Sequence, residues 1–76
     1  MLNTNKLRAL MIANGYNISS TARKLGISPN TLGKKLSGKS QFNLDEVDKL
    51  IRIFHIQDPA SIFFASEEDM DEDDRL

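Results

Sequence analysis

Seven cations and no acid lie in residues 1–44: Lys6, Arg8, Arg23, Lys24, Lys34, Lys35 and Lys39. A basic field on this scale acts on polyanions, and nucleic acid is the first such partner to weigh. Within it stand side chains suited to reading hydrogen-bonding edges. The Asn30 amide carries a donor and an acceptor, the complement of adenine N6 and N7, and Lys34 can donate to guanine O6 and N7. Catalytic chemistry has little to draw on. His55 is the sole histidine and there is no cysteine, so a cysteine nucleophile and a thiolate metal site are both excluded. Seven of the acids fall between Glu67 and Asp74, where no rigid pocket is expected to tune them. The residues point to binding, with no catalytic group, metal or cofactor expected.

The remainder of the chain has the opposite sign. Residues 45–65 set Asp45, Glu46, Asp48 and Asp58 against Lys49 and Arg52, and residues 66–76 carry seven acids and one arginine. The net charge of −1 is therefore a balance of about +7, −2 and −6. At 76 residues the chain holds one small domain, expected at 1–65, and an acidic tail at 66–76, where like charges and scarce apolar residues favour disorder. No apolar run reaches the roughly 20 residues of a membrane span. The first residues lack a signal-peptide apolar core. A cytoplasmic protein is the default expectation.

The elements that must hold Asn30 and Lys34 are helices. Apolar spacing and end signals predict an all-α fold of five short ones. The first runs from Thr4 to about Asn14, with Leu7, Leu10 and Met11 as its stripe and Gly15 beyond it. The second is capped by Asn17, turns Ile18, Thr21, Ala22 and Leu25 inward, and ends at Gly26. The third starts at Ser28 with Pro29 in the first helical position. Its apolar pair is Leu32 and Leu36, and Gly38 closes it. The fourth has Asn43 and Glu46 at capping-box spacing, Phe42 and Val47 as a staple, and an apolar face of Leu44, Val47, Leu50, Ile51 and Phe54. His55 at its end suits the helix dipole better than catalysis. The fifth is short: Asp58 caps, Pro59 leads, and Ile62, Phe63 and Phe64 follow.

The second and third helices, Asn17 to Ser37, form one constellation. Ala22 is small where a second helix crosses close, Gly26 accepts a positive φ, and Ile27 is an apolar plug between the helices. These offsets are those of a helix-turn-helix, whose second helix enters the major groove. The pattern Ala22-x-x-Leu25-Gly26-Ile27-Ser28-x-x-Thr31-Leu32 resembles the Cro/repressor (XRE-type) superfamily of phage and bacterial regulators. Lys34-Lys35-Leu36-Ser37-Gly38-Lys39-Ser40, Phe42 and the closing Ile62-Phe63-Phe64 look like small Cro-like proteins of Gram-positive phages and prophages. The likeness covers residues 5–64. It implies a five-helix, lambda-repressor-like fold, operator binding as a dimer, and control of transcription, a repressor's role. One departure stands out: family members often place an apolar residue where Lys35 stands and a polar one where Leu36 stands. The end of the third helix is therefore expected to pack in a shifted way.

On the outer face of the third helix lie Pro29, Asn30, Gly33 and Lys34, with Thr31 beside them. Asn30, Thr31 and Lys34 are the expected base readers, and Pro29 offers surface contact. The resemblance assigns phosphate contacts to the start of the second helix and the loop after the third, here Asn17, Ser19, Ser37, Lys39 and Ser40. Charge adds Arg23 and Lys35. One such domain covers too little double-stranded DNA for tight specific binding, so a homodimer on a near-palindromic operator is expected, meeting through the fifth helix and its flanks. Phe63 and Phe64 are expected in the core or packed against the tail, or at the dimer contact where exposed. A second reading keeps the fold and changes the partner: a small phage modulator or antirepressor that binds another regulatory protein. The tail admits several roles, as a solubilising terminus, a mimic of DNA charge, a cover for the chain's own basic face, or a dock for a basic partner.

Overall fold

A computed structural model describes residues 2–64 and folds them into α1 (Thr4–Ala13), α2 (Ile18–Leu25), α3 (Pro29–Leu36), α4 (Leu44–Phe54) and α5 (Pro59–Phe63), with no strand among them. The five expected helices are all present. The expected tail at 66–76 lies outside the described residues.

Local hydrogen bonds set the boundaries, because the first amides of a helix have no partner within it. Asn17 Oδ1 accepts the Ser20 N–H at 2.8 Å while Ser20 Oγ accepts the Asn17 N–H at 2.9 Å, a reciprocal cap on α2. Asn43 and Glu46 do the same for α4, at 2.8 and 2.9 Å. Ser28 Oγ accepts the Thr31 N–H at the start of α3, with Pro29 next in line. Asp58 departs from expectation: its side chain makes no capping bond. Its backbone carbonyl instead receives the Ser61 hydroxyl and N–H, and Pro59 fixes the first turn.

Each helix contributes to one core. Leu7 and Met11 come from α1, Ala22 and Leu25 from α2, Leu32 and Leu36 from α3, Leu50 and Phe54 from α4, and Ile62 and Phe63 from α5. Tyr16 meets Phe54 edge-on at 5.1 Å between ring centroids, and Phe42 meets Phe63 likewise at 6.4 Å. One expected core residue is outside it, Leu44 at 83% exposed, and Phe64 at 67% exposed takes the exposed alternative expected for it. Leu44 is the first residue of α4 and points away from the side set by Leu50 and Phe54. Phe64 lies just past α5, where the helical phase that buries Ile62 and Phe63 has ended.

Two long-range bonds at the chain's start were not foreseen. The Asn3 N–H donates to the Ile62 carbonyl at 2.6 Å, and the Thr4 hydroxyl donates to the Leu36 carbonyl at 2.9 Å. The second satisfies one of the carbonyls left over at the end of α3 and fixes that end against α1.

Candidate nucleic-acid interface

The junction of α2 and α3 depends on three residues. Ala22 is fully buried, so any larger side chain there would push the helices apart. Gly26 has φ +76°, ψ +26°. A Cβ placed on it would meet nothing within 4 Å, so the requirement for glycine is torsional rather than spatial. The Ile27 N–H returns to the Ala22 carbonyl at 3.0 Å, and its half-buried side chain packs on the core. The turn therefore holds α3 in one direction relative to α2.

With Leu32 and Leu36 buried, α3 presents Pro29, Asn30 and Lys34 to solvent. The side chains of Asn30 and Lys34 are i, i+4 neighbours on that surface. Thr31 is half-buried, and its hydroxyl accepts from Ser28 Oγ at 2.9 Å. The local cap thus uses one acceptor site of the Thr31 hydroxyl and leaves its hydrogen free to donate. Half-buried Gly33 has open space where a Cβ would stand, which permits close approach of a ligand to the helix backbone.

The expected phosphate set divides. Asn17, Ser19, Arg23, Ser37, Lys39 and Ser40 are all exposed. Asn17 spends its carbonyl oxygen on the cap. After α3 the chain curls back on itself, with the Lys39 and Ser40 N–H groups and the Ser37 hydroxyl all donating to the Lys34 carbonyl. That leaves the Lys39 side chain on a short, tightly held loop.

Lys35 is the correction. Its side chain is 12% exposed, paired with Glu46 and 5.9 Å from the centroid of the Phe42 ring. Glu46 is itself buried, and the same carboxylate oxygen accepts the Asn43 N–H. An ammonium committed to a buried carboxylate is not presented to phosphate. The shifted packing expected at the end of α3 takes this form: Leu36 fills the core and Lys35 turns toward α4. A signal existed in the sequence. Lys35 is three residues beyond Leu32, on the edge of the inward face, and Asp45 and Glu46 are the first acids in the chain.

Residues 4–37 match the family model of the Fis family of bacterial regulatory proteins. The chain carries a helix-turn-helix DNA-binding domain. The match takes in α1, α2 and α3 and ends at the cap of α3, leaving α4 and α5 outside it. No curated protein and no solved structure matches the chain. No helix among the described residues of the domain is long and apolar enough to cross a membrane.

Proposed function

We propose that this helix-turn-helix domain is a sequence-specific transcriptional regulator of Cro type, a repressor that binds a near-palindromic operator as a homodimer. The observation that carries the reading is the pairing of Asn30 and Lys34 on the solvent face of α3, above a turn that fixes the helix. Asn30 reads adenine and Lys34 reads guanine in the major groove. Exposed Asn17 and Ser19 at the start of α2, and exposed Ser37, Lys39 and Ser40 just after α3, serve as phosphate contacts that set its register. Arg23 adds charge at the end of α2. Pro29 and Thr31 lie beside the readers and contribute surface; Lys35 is left out of the contact set.

Dimerisation is supported by an apolar surface around α4 and the end of α5. A groove of about 400 Å³ has Leu2, Phe42, Leu44, Val47, Phe63 and Phe64 as its apolar lining, and Leu44 and Phe64 are the exposed apolar side chains among them. A second copy seated there covers both. The test is selection of binding sites from random duplexes with the purified protein, with the mass of the complex measured in parallel. A two-fold symmetric consensus bound by two copies is expected. Enrichment of no sequence over random duplex overturns the regulator reading, and a single copy on an asymmetric site overturns the dimer.

A further inference from the structure

The described residues carry nine cations and four acids, so the fold by itself is at +5, while residues 66–76 stand at −6. The distribution within the fold is uneven. Three acids are committed: Glu46 to Lys35, Asp45 to Lys49 at 3.3 Å, and Asp48 to Arg52 at 3.2 Å. Among the described residues, Lys6, Arg8, Arg23, Lys24, Lys34 and Lys39 form no ion pair. Four of those six belong to α2, α3 and the loop that follows. Phe64, the last described residue, shares its groove with Gly38 and Ser40, which flank Lys39. The described chain therefore ends beside the basic loop. Eleven extended residues reach roughly 36 Å, comparable with the 35 Å long axis of the molecule.

We propose that residues 66–76 dock on the basic face of the helix-turn-helix and compete there with DNA phosphate. The segment is a tethered polyanion at high effective concentration, and it lowers affinity for any duplex while sparing the preference among sequences, which belongs to Asn30 and Lys34. This inference rests on the DNA-binding reading of that face. Competition of this kind is electrostatic, so it fades as salt screens it.

The chain has no cysteine, so Leu76→Cys in the full chain takes a single nitroxide label. Amide signals are then mapped for paramagnetic broadening. Broadening is expected at Arg23, Lys34 and Lys39. It should vanish near 1 M salt, where the screening length is about 3 Å, and on adding random duplex. In a second full-length variant the seven acids between Glu67 and Asp74 become their amides. That variant should bind random duplex roughly tenfold more tightly at low salt, the difference closing as salt rises. Broadening that is absent, or that persists in saturating duplex, overturns the docking, even if duplex binding is otherwise intact. If neither protein binds duplex at any salt, the DNA reading falls and the competition with it, whatever the broadening map shows.

Discussion

The two halves of the fold treat charge in opposite ways. From α1 to the loop after α3 the described residues hold seven cations and no acid, and six of the seven form no ion pair there. In α4 the acids and bases alternate at i, i+4, so Asp45 pairs with Lys49 and Asp48 with Arg52. Uncompensated charge gathers in the half that carries the helix-turn-helix; compensated charge gathers in α4. Lys35 crosses the boundary. It belongs to the basic half by sequence and to the α4 half by contact, because its ammonium is held by Glu46.

The largest expected effect comes from breaking that crossing. Glu46→Ala leaves the Lys35 ammonium buried without a counter-charge and removes the side chain that accepts the Asn43 N–H. A loss of about 3–5 kcal/mol in unfolding free energy is expected, a large share of what a small domain has. Replacing both partners, Lys35→Met with Glu46→Gln, should recover most of it, since an amide still caps and a thioether still packs on Phe42. Denaturant unfolding of the three proteins checks this. A Glu46→Ala variant within about 1 kcal/mol of the parent would mean the pair is solvated and the α3–α4 link is not structural.

Next in size is recognition. Asn30→Ala should cost about 1–3 kcal/mol on the preferred sequence and flatten the preference at one base pair, with stability unchanged because Asn30 is exposed. Titration against the selected site and a random duplex separates the outcomes. Equal losses on both would move Asn30 from base reading to general contact.

Most of the architecture was legible in the sequence. Asn17, Ser28 and Asn43 each announce a helix start through a cap that the fold then makes. Gly26 announces the turn through a torsion other residues resist. These are local signals, and local physics decides them. Asp58 and Leu44 misled for a related reason: a residue type suited to a cap or core was given that role before the surroundings of its helix were fixed. The pairing of Lys35 with Glu46 spans eleven residues, and the Thr4 bond to Leu36 spans thirty-two. Nothing in composition or periodicity fixes contacts at that range. The outward set of α3 follows once Leu32 and Leu36 are known to be inward, so Asn30 and Lys34 could be named early. The position of Lys35 beside the inward face hinted that it would be withdrawn, but its partner could not be named.

The salt dependence of binding turns the comparison between lysines into a measurement. Lys39→Ala should weaken binding to every duplex and lower the slope of log affinity against log salt by about one unit, the signature of one lost phosphate contact. Lys35→Met should leave that slope where it was. An unchanged slope for Lys39→Ala removes it from the phosphate contacts. A reduced slope for Lys35→Met shows that the ammonium leaves Glu46 to meet DNA.

The smallest effect should come from the α4 half. Arg52 and Asp48 are both largely exposed, and an exposed i, i+4 pair on a helix contributes only about 0.3–0.5 kcal/mol. Arg52→Ala should therefore shift unfolding by no more than that, since alanine is the better helix former. Its effect on DNA should be smaller still if α4 faces away from the duplex. Unfolding and duplex titration of this variant, run beside Lys39→Ala, test the division directly. Both remove one positive charge from an exposed side chain, so net charge cannot distinguish them. A salt slope lowered equally in both would show that the protein meets DNA as an undifferentiated cation; a slope lowered in Lys39→Ala alone places the contact on α3 and its loop.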